Sequence, residues 1–309
     1  MDGLKVTADV FARIAARGVG QVMFQRSVLS GFLMACAIIA GGFGIGGSGR
    51  FIVTAGATVA ILISSAIAVA ATLPDGRDGV WGFNAVLVGC AVFTFNNSGA
   101  GAWAMLCAGV LLTFPLKGIL DRMLGVASLT LPFVISTWII TAIGHATGLM
   151  TPWIPETIPS APEQLSATSI AIGLLKGISE VFLIDSWVAG LLMLAGLLAG
   201  SPRCAVLALS GSAAGMVMAI ICGLPAGEIS AGLWGFSPAL TAIAVGSVLP
   251  GIPHRGLLTT AAVILTFAIQ YLTAPWLAKA GLPVLTMPFC AATLAVSLLS
   301  VRNARSITK

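Results

Sequence analysis

Charge is scarce in this chain. Ten acidic and 15 basic residues make up 8% of 309, against 58% apolar residues and a mean hydropathy of +1.06. A soluble domain carries about 25% charged residues. So few polar side chains cannot cover a water-facing surface, which excludes an ordinary soluble domain. Lipid must serve as solvent, and the backbone must satisfy itself. Strict apolar–polar alternation is also missing, so the long apolar runs exclude barrel strands and leave helices. The segment from Met1 to Arg26 has charges throughout and no apolar core, and is not read as a cleavable leader. The cysteines (Cys36, Cys90, Cys107, Cys204, Cys222, Cys290) sit mostly in apolar runs without a CxxC pair, and read as small hydrophobes. His145 and His254 stand near segment ends without partner ligands. No metal or other cofactor is expected. No Ser-His-Asp set, HExxH, phosphate-binding loop or dinucleotide fingerprint is present, so an enzyme is not expected.

What is present is apolar length. A span needs about 20 mostly apolar residues. Five fit before the chain's middle, at 27–47, 51–73, 79–98, 100–120 and 129–147, and five after it, at 186–201, 203–223, 232–251, 255–273 and 284–301. Each set follows a shorter, more mixed segment, 8–25 or 169–184, too short or too polar to cross alone. These read as re-entrant half-helices, tolerable where protein or water covers their ends. The Pro-, Ser- and Thr-containing stretch with Pro152, Pro155, Pro159 and Pro162 reads as a linker. The expected organisation is a first repeat at 1–148, a linker at 149–168 and a second repeat at 169–309.

An odd number of spans per set makes the sets antiparallel. With the N-terminus in the cytoplasm, 12 of the 15 Lys and Arg fall on the cytoplasmic side; Arg50 and Lys279 fall outside, and Lys176 lies in the second half-helix. Both termini are therefore expected in the cytoplasm. The net charge of +5 then reflects orientation, and no nucleic-acid partner is expected.

Three motif pairs recur in the same order. Trp81-Gly82-Phe83-Asn84 is matched by Trp234-Gly235-Phe236-Ser237, an offset of 153 (235 minus 82). Leu129-Thr130-Leu131-Pro132-Phe133 is matched by Leu285-Thr286-Met287-Pro288-Phe289, an offset of 156 (286 minus 130). Gly18-Val19-Gly20-Gln21-Val22 is matched by Gly177-Ile178-Ser179-Glu180-Val181, an offset of 159 (180 minus 21). The chain reads as an all-α polytopic membrane protein of two inverted repeats with a solute path between them.

Glu180 is the costliest residue for a membrane segment, and should face a cavity or a partner. Gln21 matches its carbonyl oxygen without the charge. The plainer reading pairs Glu180 with Lys176 one turn away. Thr130 and Thr286 each stand two residues before a Pro-Phe; the proline removes a donor and frees nearby carbonyls, so hydroxyl and carbonyls form an acceptor row. The plainer reading is a kinked structural helix. Phe83 and Phe236 have Leu87 and Leu240 four residues on, one helical face each. They could wall a slot, or simply pack. Neutral acceptors between aromatic walls suit a small, flat, neutral solute rich in N–H donors.

These residues resemble the urea transporter family. Leu282-Pro283-Val284-Leu285-Thr286-Met287-Pro288-Phe289 matches the family's LPxxTxPF signature, and the resemblance covers about 8–301. It implies facilitative, channel-like urea conduction by a homotrimer in the plasma membrane or a bacterial inner membrane, each subunit having its own pore. Gln21 and Glu180 would line the filter's ends, Thr130 and Thr286 its middle with Val181 beside them, and Phe24, Phe83, Phe236, Leu87 and Leu240 its walls. A small amide related to urea is the other substrate considered, and an ion-coupled carrier with Glu180 as proton site the other mechanism. The chain departs from the family pattern in three places. The first signature opens Val126-Ala127 instead of Leu-Pro. Arg26-Ser27-Val28 and Asp185-Ser186-Trp187 replace Asn-Asn-Pro. Leu183 stands where the counterpart of Phe24 would be aromatic.

Overall fold

The computed structural model describes residues 8–154 and 164–307. Pro155, Pro159 and Pro162 of the expected linker, with Lys5 and Lys309, lie outside the described residues. Among those described the chain is all-helical, in the order α1 (Ala8–Gln21), α2 (Val28–Gly42), α3 (Phe51–Ala70), α4 (Phe83–Phe95), α5 (Ala100–Leu124), α6 (Leu131–Ala146), α7 (Ala167–Ser179), α8 (Trp187–Gly200), α9 (Pro202–Ile221), the short α10 (Ala226–Ser230), α11 (Phe236–Ile243), α12 (Arg255–Lys279) and α13 (Met287–Ile307). A π-turn, Ala244–Val248, extends α11.

Among the described residues, four helices are long and apolar enough to cross a membrane alone: α3, α5, α9 and α12. Six more apolar helices are shorter, namely α2, α4, α6, α8, α11 with its π-turn, and the first part of α13. The chain is thus an all-helical polytopic membrane protein. Two of the short helices are the most buried: every residue of α11 is buried, and α4 is buried from Asn84 to Phe93. They make the core, and α5 and α12 turn broad apolar faces outward, with Leu111, Leu257 and Leu272 exposed.

Four expected spans start two to four residues later than the apolar runs do; those read at 79–98 and 232–251 begin as helix at Phe83 and Phe236. Those read at 129–147 and 284–301 begin as helix at Leu131 and Met287, because Pro132 and Pro288 occupy the first turn. A proline there costs nothing, since the first-turn N–H groups have no helical partner. The threonines therefore sit at a helix start and not in a mid-helix kink.

Backbone features recur at the motif spacings. Phe24 and Leu183 take left-handed φ values of 61° and 58°, Leu129 and Leu285 of 57° and 52°, and Gly79 and Gly232 of 76° and 77°. Ser27 and Ser186 each cap a helix, their hydroxyls accepting from the N–H of Ser30 and Ala189. The chain's departure from Asn-Asn-Pro keeps a capping oxygen at each helix start.

Candidate functional site

Each half-helix ends in a buried turn. After α1 the N–H of Phe24 donates to the Gln21 carbonyl (3.0 Å); after α7 a 3₁₀ turn from Glu180 to Phe182 closes with the N–H of Leu183 on the Glu180 carbonyl (2.9 Å). A bulky residue at positive φ is strained, and such strain persists only where packing dictates it. The packing here is dense: Val22, Met23, Val181 and Phe182 are all buried.

The two turns present different side chains. Gln21 donates from Nε2 to the Asp78 carbonyl at 3.1 Å, and is only partly buried. Glu180 is 8% exposed, and its carboxylate has no hydrogen bond or ion pair among the described residues. Lys176 does not pair with it but with Asp185, whose other oxygen takes the Ser48 hydroxyl at 2.5 Å.

Thr130 and Thr286, at 3% and 2% exposure, meet directly: their hydroxyl oxygens lie 2.6 Å apart. Cys290 Sγ stands 3.2 Å from Thr130 Oγ1. A hydroxyl has one proton and two lone pairs, so the mutual bond leaves acceptor capacity on the pair. Trp138 fixes the approach to Thr286 by donating from Nε1 to the Pro283 carbonyl (2.8 Å). Leu87 and Leu240 are fully buried in the same apolar core, and Phe83 packs against it. Phe24 sets its ring edge-on to Phe289, centroids 6.1 Å apart.

A cavity of about 970 Å³ reaches this region. Ser48, Arg50 and Trp153 line it, with Glu180, Phe236 and Leu285. Leu285 is the residue before Thr286, so the cavity brings Glu180 and Phe236 together beside the threonine pair. Of the expected site residues, Gln21, Phe24, Phe83, Leu87, Thr130, Val181, Leu240 and Thr286 itself do not line it.

Two sets of positioning residues escaped the sequence reading. Asn84 was quoted within a motif and given no role. Its Oδ1 accepts from the N–H of Phe133 (3.1 Å) and its Nδ2 reaches the Leu129 carbonyl (3.5 Å), so one amide spans the Thr130 turn. Arg50 was counted only for orientation. It donates to the carbonyls of Phe93, Thr94 (3.3 Å) and Asn96 (3.2 Å) at the end of α4 and stacks on Trp153 at 4.0 Å. Arg203 donates to the Gly246 carbonyl (2.8 Å) at the end of α11. Both residues of this second contact lie 153 positions after Arg50 and Phe93 (203 minus 50, 246 minus 93). The equal offset was the available signal. A cation at a helix C-terminus also complements the exposed carbonyls there.

A family profile described as urea transporter matches residues 12–301. The chain belongs to the urea transporter family. It is accordingly a membrane transport protein and not an enzyme. Among curated relatives, urea transporter 1 of Ovis aries is 29% identical over 97% of this chain and 79% of its own length. The Capra hircus protein has the same values, and that of Mus musculus is 28% identical over 93% of this chain and 76% of its own. Within this urea transporter chain, the matched region includes the turns after α1 and α7, the threonine pair and both arginine caps.

Proposed function

We propose that the chain conducts urea, or a closely related small amide, passively through a path that passes the Thr130–Thr286 pair. In this reading residues 1–148 and 169–309 are inverted repeats of five spans and a half-helix each, joined by 149–168. The recurring left-handed residues, serine caps and arginine caps support the duplication. Gln21 and Glu180 line the two ends of the filter and Val181 flanks its middle. Phe24, Phe83, Leu87, Phe236 and Leu240 form the walls. Three such chains form the working homotrimer, in the plasma membrane, or the inner membrane of a bacterium, with both termini cytoplasmic.

The observation that carries this is the contact of Thr130 with Thr286, 156 residues apart and 2.6 Å in space, beside a cavity wall. Urea is planar and neutral and carries four N–H donors. Stripping its water without replacement would cost several kcal/mol. Hydroxyl and carbonyl acceptors on its edges offset that loss, while rings touch its faces. Size, planarity and donor number then set selectivity.

Proteoliposomes under a urea gradient test this by stopped-flow light scattering. Urea flux that needs neither ions nor ATP is expected. Thr286→Val keeps the shape and removes the acceptor. An unmade buried hydrogen bond is worth about 1–3 kcal/mol, so flux should fall about tenfold. Wild-type flux in Thr286→Val would remove the central assignment. The lone carboxylate of Glu180 favours one alternative, an ion-coupled carrier. Stimulation by a pH gradient that vanishes in Glu180→Gln would establish it.

A further inference from the structure

A second cavity, about 340 Å³, lies away from the threonine pair, between α9, the α11 π-turn and α12. It is lined by Arg203, Leu207 and Ser210 of α9, Arg255, Thr259 and Val263 of α12, and Gly246 of the π-turn. Both arginines stand at the helix starts. Arg203 reaches the Gly246 carbonyl, and Arg255 those of Val245 (3.0 Å) and Leu249 (2.7 Å). Among the described residues neither has a carboxylate within ion-pair distance. The counterpart, Arg50, shows what is missing: its guanidinium is covered by the Trp153 ring. No ring stacks on Arg203 or Arg255 among the described residues. Two guanidiniums thus share one groove with protein carbonyls on one side and no countercharge. Further along α9 and α12 the lining includes apolar Leu207, Ala214 and Val263, and Val206, Leu257 and Ile264 on the same two helices are exposed.

We propose that this groove binds one anionic phospholipid, its phosphate between Arg203 and Arg255 and an acyl chain along the apolar part. Charge and apolarity are ordered as such a molecule is. Basic pockets between membrane helices hold anionic headgroups for this reason. The site does not depend on how urea is conducted.

The test uses the purified, delipidated full chain. Native mass spectrometry and thermal unfolding are measured with phosphatidylglycerol, phosphatidylcholine or inorganic phosphate added. Retention of one phosphatidylglycerol with a raised Tm is expected, and neither effect with phosphatidylcholine. Arg203→Gln and Arg255→Gln keep N–H donors for the carbonyls and lose the charge. Each should weaken retention about fivefold, at about 1 kcal/mol per basic residue near a membrane surface. Ser210 is exposed, so Ser210→Trp fills the groove with both arginines intact and should abolish retention even if the arginine variants fail to fold. Equal retention of phosphatidylcholine, or phosphatidylglycerol held by Ser210→Trp, would overturn the site. An equal Tm rise with inorganic phosphate would make it a free-anion site. Loss of self-association in Ser210→Trp without loss of lipid would give the groove to a second copy of the chain. Either result refutes the lipid.

Discussion

The turn carrying Thr130 is clamped; the turn carrying Thr286 is not. Asn84 ties the Leu129 carbonyl to the Phe133 N–H around the first. Ser237 is its counterpart in the second motif, and its buried hydroxyl has no partner. The same backbone bend, left-handed at Leu129 and Leu285, is thus held in two ways. At Leu285 the lead-in loop is instead anchored by Trp138 on Pro283. The bend recurs at both motifs, and the means of holding it differ. That difference falls on the side where the cavity opens, which passes Leu285 and not Leu129.

The largest expected effect breaks what the halves share. A Cβ on Gly31 would lie 1.8 Å from the Ala16 carbonyl oxygen, and one on Gly190 would lie 2.2 Å from that of Leu175. Both clashes are with backbone, which cannot swing aside. Overpacking of this kind costs about 3 kcal/mol or more. Gly31→Ala and Gly190→Ala should each lower Tm by about 6 °C or more in detergent. A large fall in one and none in the other would show that the half-helices are docked differently, and the duplication argument would weaken.

Next comes the clamp itself. Asn84→Ala leaves the buried N–H of Phe133 and carbonyl of Leu129 without that amide, at about 1–3 kcal/mol. Its Tm should fall by several degrees, about 2–4 °C per kcal/mol, and urea flux with it. Ser237→Ala removes a hydroxyl that pairs with nothing, and should leave both unchanged or raise Tm slightly. Equal losses in the two variants would contradict the asymmetry.

How legible was this in the sequence? Apolar runs and proline placement gave the helix starts to within four residues and their ends less closely, α12 and α13 running six residues past the expected spans, since a membrane leaves little choice but helix. The motif spacings pointed to Thr130 and Thr286, and to the turns that hold Gln21 and Glu180. Their direct contact was not readable, because spacing along a chain does not report distance across a core. Asn84 was hidden because its counterpart is a serine, so matching motifs drew attention to what was identical and away from what had changed. The plainer alternative, a Lys176–Glu180 pair, fails for a related reason. One helical turn from Glu180 was the visible neighbour, whereas Asp185 reaches Lys176 only because Leu183 bends the chain back.

The proposed filter ends, Gln21 and Glu180, offer a smaller contrast. Gln21 is tied to the Asp78 carbonyl, while Glu180 stands without a hydrogen bond on the cavity wall. Glu180→Gln keeps an acceptor and should retain substantial urea flux. Glu180→Leu removes it and should cost about tenfold, the worth of one buried hydrogen bond at about 1–2 kcal/mol. Gln21→Leu should cost less than Glu180→Leu, since part of the glutamine's capacity is already used by the protein. The reverse order, measured in the same liposomes, would place the controlling end at Gln21.

The smallest effect concerns Leu183, which shares its left-handed turn with Phe24 but not its ring. Phe24 stands edge-on to Phe289 and is fixed by it. Leu183 instead lines the cavity and brings no ring to it. Leu183→Phe restores the ring at a position whose backbone already accepts a bulky residue. A ring there tests shape more than it supplies acceptors. Its effect should therefore appear as selectivity: urea flux changes little, while acetamide and methylated ureas slow by severalfold, a pocket difference of about 1 kcal/mol per methyl-sized group. If urea and acetamide slow together, Leu183 lies on the path and the ring obstructs it. If neither changes, this position does not select, and discrimination resides at the threonine pair, where both halves meet.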